Sequence, residues 1–191
     1  MALAAAIAFC AVLMLSGCAS RDADLVGTWV HEFDVAFYST YQANGNGTHS
    51  EPWGDYGDTF IWTTSRNNIN WNYVGHSRVY TPYVIDNDEL RIYYQDGSYE
   101  RFFRERQDAA LIGTWVWDAN PAYVTTFNEN GTGNHTITWG FGTNFTWTTS
   151  GPNLIHDYPG HGRLGMWYEM RGNALYFTMP DGTVYRYTRQ N

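Results

Sequence analysis

The chain contains nearly the same sequence twice. Residues 25–30 read LVGTWV, and residues 111–116 read LIGTWV. A shift of 86 residues, which becomes 85 after residue 55, makes about thirty of about eighty aligned positions identical. Residues 25–104 are therefore the first repeat, and residues 111–191 are the second repeat. Two copies are too few for a solenoid, so each repeat is predicted to be a domain or half of a joint domain.

Turn signals within each repeat predict an all-β fold. Pairs such as Asn130-Gly131 and Asp181-Gly182 supply the positive φ angles that tight hairpins require. β-branched and aromatic residues, which suit pleated sheets, fill the stretches between turns. The second repeat is predicted to form strands near residues 111–118, 122–128, 133–139, 144–149, 153–157, 164–170, 174–179 and 183–189. Such a series of hairpins is an up-and-down meander, and its closure into a barrel removes exposed edges.

Charge and cysteine content exclude several classes of function. The formal net charge is -8, and all cationic side chains apart from histidine are arginines. Residues 22–104 carry 12 acids and 5 arginines, whereas residues 108–191 carry 6 acids and 4 arginines. Without a basic stripe that could neutralise phosphates, nucleic acid is not expected as a partner. Both cysteines lie in the first eighteen residues, so neither repeat can hold a disulfide or a zinc–thiolate site.

The first residues have the pattern of a secretion signal. Residues 2–15 are apolar, a length that suits a signal peptide and is shorter than the roughly 20 residues of a membrane-spanning helix. The run ends in LSGC, residues 15–18, which resembles the lipobox of bacterial lipoproteins. The resemblance implies that residues 1–17 are a signal peptide, that Cys18 is the lipid-attachment site and that residues 18–24 are a tether.

This resemblance further implies a protein anchored to the bacterial cell envelope, at the outer membrane in a Gram-negative cell. The alternative interpretation is a buried N-terminal helix.

A second resemblance depends on one tryptophan and one arginine in each repeat. Gly-x-Trp on the first strand and an arginine on the last strand are present twice, as Trp29 with Arg104 and Trp115 with Arg189. This pattern resembles the lipocalin (calycin) superfamily, in which the arginine packs across the tryptophan at the closed end of a barrel. The resemblance implies two small, tandem, antiparallel up-and-down barrels, residues 25–104 and 111–191, with residues 105–110 as the linker.

Paired aromatic residues are candidates for the wall of a ligand site. Phe60 and Trp62 in the first repeat match Phe145 and Trp147 in the second, and a separation of two residues places each pair on one strand face. These residues are predicted either to fill the barrel core or to line a site for an apolar ligand or a sugar. Because a barrel of eight strands can be filled by its own side chains, both alternatives stay open.

Doubled histidines raise the question of a metal site. His49 matches His135, and His76 matches His161. Their wide spacing and the lack of a doubled carboxylate beside them favour hydrogen bonding in turns over metal binding.

The acidic loop of the first repeat is a further candidate for binding a cation. Glu51, Asp55 and Asp58 could bind Ca²⁺, but their spacing matches no calcium-loop pattern, so a solvated loop is expected. No metal site and no cofactor is therefore predicted.

The sequence contains no recognisable set of catalytic residues. Ser65 and Ser150 follow two threonines on strands rather than a nucleophile elbow, and His156-Asp157 is replaced by Trp71-Asn72 in the other repeat. The expected function is non-catalytic binding of a small apolar or amphipathic ligand inside a barrel. The alternative is a structural or interaction lipoprotein whose solid barrels bind an envelope protein or a glycan through surface aromatic residues.

Overall fold

The computed structural model of this chain describes residues 20–50, 59–73, 75, 77–137 and 142–190. Several features of the sequence lie outside these ranges: the predicted signal peptide (1–17), the predicted lipid-attachment site Cys18, and Glu51, Asp55, Asp58 and His76. Over the described ranges the chain forms strands and two short 3-10 turns, with no α-helix. No helix in this part of the chain is long and apolar enough to span a membrane.

The first repeat contributes eight strands. They are β1 (Gly27–His31), β2 (Tyr38–Tyr41), β3 (Asn46–Ser50), β4 (Thr59–Ser65), β5 (Asn68–Tyr73), β6 (Val79–Asp86), β7 (Glu89–Tyr93) and β8 (Tyr99–Arg106). Each strand is antiparallel to the next, and β8 also pairs with β1. In that last pairing Arg104 lies opposite Trp29.

The second repeat folds into a closed antiparallel barrel of eight strands. They are β9 (Gly113–Trp117), β10 (Tyr123–Phe127), β11 (Thr132–Ile137), β12 (Gly142–Ser150), β13 (Asn153–Tyr158), β14 (Gly162–Arg171), β15 (Ala174–Thr178) and β16 (Val184–Arg189). Each strand pairs with the next, and β16 returns to β9, where Arg189 lies opposite Trp115. The prediction of an antiparallel barrel with these eight strands is confirmed.

A strand pairing connects the two repeats. At the end of β8, Glu105 lies opposite Ser150 and Arg106 lies opposite Thr149 of β12. Strand β8 therefore continues into the predicted linker at residues 105–110. The linker then ends in a 3-10 turn, Ala109–Leu111, which places Leu111 in the core before β9 begins.

Alternation of side chains along each strand separates core from surface. In β4, Phe60, Trp62 and Thr64 are buried, while Ile61 between them is exposed. The buried side chains of each repeat form one cluster dominated by aromatic rings. Burial of such large apolar side chains is the main source of stability of a small barrel.

Candidate functional site

Trp29, on the first strand of the first repeat, is the centre of a set of buried contacts. Its indole Nε1 donates a hydrogen bond to the Leu25 carbonyl at 2.8 Å, and its side chain is fully buried. The Arg104 guanidinium carbon lies 4.2 Å from the centre of the Trp29 ring, within cation–π distance. Arg104 also donates through Nη1 to the Val26 carbonyl at 2.7 Å and through Nη2 to the Asp24 carbonyl. The arginine therefore covers the tryptophan and ties the last strand to the segment before β1.

The second repeat has the same arrangement. Trp115 Nε1 donates to the Leu111 carbonyl at 2.8 Å, and the guanidinium carbon of Arg189 lies 4.3 Å from the ring centre. Gly113, two residues before the tryptophan, has a φ of +134°, and a Cβ there would lie 3.0 Å from Arg189 Nη1. The glycine of the Gly-x-Trp motif is therefore required by both its backbone conformation and the approach of the arginine.

The four candidate ligand-wall residues lie in the packed cores. Phe60 and Trp62 are 2% and 0% exposed, and Phe145 and Trp147 are 2% and 1% exposed. The Trp147 indole Nε1 donates to the carbonyls of Asn128 and Thr132, both at the turn between β10 and β11. Their rings and polar atoms are thus engaged with neighbouring groups of the protein.

Glycines on the adjacent strand make room for the two phenylalanines. A Cβ on Gly47 would overlap the Phe60 ring, and a Cβ on Gly133 would overlap the Phe145 ring. Each phenylalanine therefore packs directly against the backbone of the neighbouring strand.

A chain of hydrogen-bonded polar side chains in the second repeat extends to His156. Thr125 Oγ1 lies 2.8 Å from His135 Nδ1, and His135 Nε2 lies 2.9 Å from the Tyr158 hydroxyl. The same hydroxyl lies 3.2 Å from His156 Nδ1. Within the described residues, the other ring nitrogen of His156, Nε2, is buried and has no hydrogen-bond partner.

The first repeat fills the equivalent place differently. Trp71 takes the position of His156, and its indole Nε1 donates to the Tyr41 hydroxyl at 3.1 Å. In the second repeat the residue matching Tyr41 is Phe127, whose ring centre lies 5.6 Å from that of His156. The loss of this hydroxyl leaves the buried imidazole without the partner that the indole has in the first repeat.

The sequence shows that His156 is not duplicated, but the sequence analysis did not predict its place in the buried hydrogen-bonded chain of the second repeat. The available signal was a polar residue at a core position that holds a tryptophan in the other repeat.

Burial determines the protonation of these histidines. Burial, together with the smaller effect of the nearby His135, lowers the pKa of His156 to about 3. Burial also lowers the pKa of His135 and raises the pKa of the Tyr158 hydroxyl. The imidazole of His156 is therefore neutral at pH 7, because its charged form would lose its hydration in the core.

His49 and His135 have equivalent surroundings, since each Nδ1 lies within hydrogen-bond distance of a hydroxyl and each ring stacks on a tyrosine. His49 Nδ1 lies 2.6 Å from Ser39 Oγ, and its ring stacks on Tyr73 at 5.6 Å. His161 is exposed in the turn between β13 and β14. Across the described residues, no group of three or more histidine, cysteine, aspartate or glutamate side chains is arranged to hold a metal ion.

A largely buried ion pair connects the two repeats. Arg163 Nη2 donates to Glu105 Oε1 at 2.8 Å, and Thr148 Oγ1 donates to the same oxygen at 2.5 Å. The Arg163 guanidinium carbon also lies 4.5 Å from the ring centre of Tyr38 in the first repeat. The charges of Arg163 and Glu105 have lost most of their hydration, so separating them would be unfavourable. The pair therefore restricts the relative orientation of the repeats.

Two of the grooves formed by the described residues lie at equivalent places on the two repeats. The junction groove has a volume of about 480 Å³ and is formed by strands β14 and β15 together with the β1–β2 loop of the first repeat. The tyrosine groove has a volume of about 590 Å³ and is formed by residues 79–82 and 93–96. Both volumes are in the range of small-molecule sites.

Comparison of the chain with family models, with curated proteins and with solved structures gives no match.

Proposed function

We propose that this chain is a non-catalytic envelope lipoprotein made of two tandem, small, lipocalin-like barrels with solid interiors. Residues 25–104 and 111–191 would each form one barrel, and the barrels would present their outer surfaces to an envelope partner. The strand pairings support this proposal, since β1 pairs with β8 and β9 pairs with β16. The tryptophan and arginine stacked at each of these closures further support the lipocalin-like assignment.

The observation that carries the proposal is the packing of the aromatic residues inside each repeat. Phe60, Trp62, Phe145 and Trp147 are all at most 2% exposed. In the second repeat, Phe127 packs edge-on against Trp147 with ring centres 5.2 Å apart. Rings that already contact one another offer an internal ligand no free wall. Binding through the outer surface is therefore favoured over binding inside a barrel.

Membrane attachment in this proposal depends on Cys18. Lipidation of this thiol would leave residues 18–24 as a short tether in front of β1. Several acyl chains would anchor the protein stably, at about 0.8 kcal/mol per buried CH₂ group.

Mass spectrometry of the full chain, purified from bacterial membranes, tests both parts of the proposal. Under denaturing conditions we expect the mass of residues 18–191 plus covalent acyl groups, and we expect the Cys18→Ser variant to lack them. Under native conditions we expect no further, non-covalent mass. A small apolar molecule that is released by organic extraction would overturn the solid-barrel proposal and establish the internal ligand site instead.

Independent folding of the second repeat tests the two-barrel arrangement. Residues 108–191 expressed alone are expected to give a cooperative thermal unfolding transition and a β-type circular dichroism spectrum, because β9–β16 satisfy one another's backbone hydrogen bonds. The fragment lacks Glu105, the ion-pair partner of Arg163, so it is also prepared with the Arg163→Met substitution. An unfolded fragment in both forms would mean that the repeats depend on a shared sheet.

A further inference from the structure

The two outer grooves occupy the same place on the two repeats. The tyrosine groove is lined by the ends of β6 and β7, residues 79–82 and 93–96. Shifted by 85 residues, these segments become residues 164–167 and 178–181, nearly all of which line the junction groove. The two grooves can therefore be compared residue by residue, because they occupy equivalent positions and differ in their side chains.

One wall of the junction groove is formed by the chain's own β1–β2 loop. Phe33, Asp34 and Val35 of this loop line the groove. Val35 packs on Gly165 so closely that a Cβ on this glycine would overlap the valine side chain. This groove therefore serves the contact between the repeats.

The tyrosine groove excludes a protein loop seated in the same way. Tyr80 is the residue of the first repeat that matches Gly165. In the second repeat Val35 packs on this glycine, whereas in the first repeat the Tyr80 side chain fills the equivalent space. Alternation along β6 points Tyr80 outward, because Thr81 and Tyr83 are buried. Tyr80 is 61% exposed, a large fraction for an aromatic side chain.

Tyrosines replace non-aromatic residues at three more positions of this surface. Tyr93 and Tyr94, which line the groove, match a threonine and a methionine of the second repeat. Tyr99, which lies beside the groove at the start of β8, matches a valine. The rings of Tyr93 and Tyr99 lie 5.5 Å apart on neighbouring strands, with an interplanar angle of 44°. Together with Tyr80 on the adjacent β6, they form an aromatic stripe across three strands of the outer face. Tyrosine supplies a large, rigid contact area that can also form hydrogen bonds.

The rim of the groove is polar. Gln95 and Asp96 lie at its end and can accept hydrogen bonds from hydroxyl groups. The Ser98 hydroxyl donates to Asp96 at 2.6 Å and lowers the pKa of that carboxyl, which keeps it ionised. Residues 22–104 carry 12 acids against 5 arginines, an excess of negative charge that disfavours polyanions. Arg91, whose guanidinium carbon lies 5.9 Å from the Tyr99 ring centre, is paired with Glu89.

We propose that the tyrosine groove binds a neutral polysaccharide. Its aromatic stripe would stack on the apolar C–H faces of successive sugar rings, while Gln95 and Asp96 would accept hydrogen bonds from their hydroxyls. A purely apolar ligand would form no hydrogen bonds with these polar groups, and an anionic polymer would face repulsion from the acidic repeat. This inference rests on the proposed function, because it identifies the partner of the outer surface.

Isothermal titration calorimetry of the full-length protein tests the proposal, in a detergent without a sugar headgroup. The probes are two neutral oligosaccharides, cellohexaose and the hexamer of N-acetylglucosamine, with hexagalacturonate as the anionic comparison. We expect a neutral hexamer to bind and hexagalacturonate to bind at least tenfold more weakly. The variant carrying Tyr80→Ala and Tyr99→Ala is expected to lose at least tenfold in affinity for the neutral hexamer.

The Trp167→Ala variant is the matched control, because Trp167 is an exposed aromatic residue of the junction groove. It is expected to bind like the wild type, and thermal unfolding of both variants checks that they are folded. The proposal is overturned if neither neutral hexamer binds, if the double tyrosine variant binds unchanged, or if hexagalacturonate binds best. The native mass measurement is independent of these results, so a failed titration with no internal ligand would overturn the polysaccharide site alone.

Discussion

Replacing Trp115 by alanine is expected to lower the free energy of unfolding by about 3–5 kcal/mol, the usual cost of truncating a large buried aromatic side chain. The substitution removes a fully buried ring together with its hydrogen bond to the Leu111 carbonyl. It also leaves Arg189 without the ring on which its guanidinium is stacked. Because the Trp115 ring is fully enclosed by its neighbours, the surrounding strands can collapse into the cavity only in part.

Chemical denaturation followed by circular dichroism measures this effect. Trp29→Ala is expected to have an effect of similar size through the equivalent contacts in the first repeat. If the repeats unfold in separate transitions, each substitution should shift only the transition of its own repeat. Trp167→Ala, at an exposed position, should change stability by less than about 0.5 kcal/mol. A loss below about 1 kcal/mol at both Trp29 and Trp115 would contradict a structural role for these stacked pairs.

Acidification is expected to destabilise the second repeat by about 3 kcal/mol between pH 7.5 and pH 4. His156 has a pKa of about 3 in the folded protein and an ordinary pKa of 6.5 when exposed. Below pH 6.5 the unfolded chain therefore binds a proton that the folded protein does not bind, and stability falls with decreasing pH. Each pH unit in this window costs about 1.4 kcal/mol, and the loss ends near the folded pKa. Denaturation curves at several pH values measure it.

Two variants separate this effect from general acid denaturation. His156→Phe removes the titrating group, so its stability should change less between pH 7.5 and pH 4 than that of the wild type. The double variant His156→Trp with Phe127→Tyr recreates the Trp71–Tyr41 pair of the first repeat, in which indole and hydroxyl are hydrogen-bonded. It should show the same reduced pH dependence. An unchanged pH dependence in both folded variants would show that His156 is not the group that binds the proton.

The predictable part of the fold depends on local signals. Asn130-Gly131 and Asp181-Gly182 marked turns because Gly131 and Gly182 take positive φ angles there, +77° and +84°. All eight strands predicted for the second repeat are present, with small differences at their ends. One such difference lies at the start of β9, where the backbone first makes a 3-10 turn that buries Leu111. Such a short turn has no period that distinguishes it from a strand end.

The candidate sites were less predictable, because the spacing of residues along a strand gives the face on which a side chain lies but not what packs around that side chain. Phe145 and Trp147 share a face by their spacing, but only the packed rings around them show that this space is occupied. The sequence singled out His135 for its duplication, whereas its hydrogen bond to Tyr158 joins residues on different strands. The link onward to His156 depends on the pairing of those strands in the barrel.

The sequence by itself determined the duplication, the all-β class, the order of the hairpins and the residues of each Gly-x-Trp and arginine pair. The duplication follows from the repeated residues, and the hairpins follow from backbone preferences and from alternation along single strands. The tryptophan and arginine pairs follow from the resemblance to lipocalins, with alternation supporting the choice of arginine. Only the tertiary structure decided how the repeats meet, through β8 beside β12 and Val35 against Gly165. It also decided that one groove is bordered by the β1–β2 loop while its counterpart exposes tyrosines. Such contacts depend on the shapes of surfaces built from distant segments, and no local pattern encodes them.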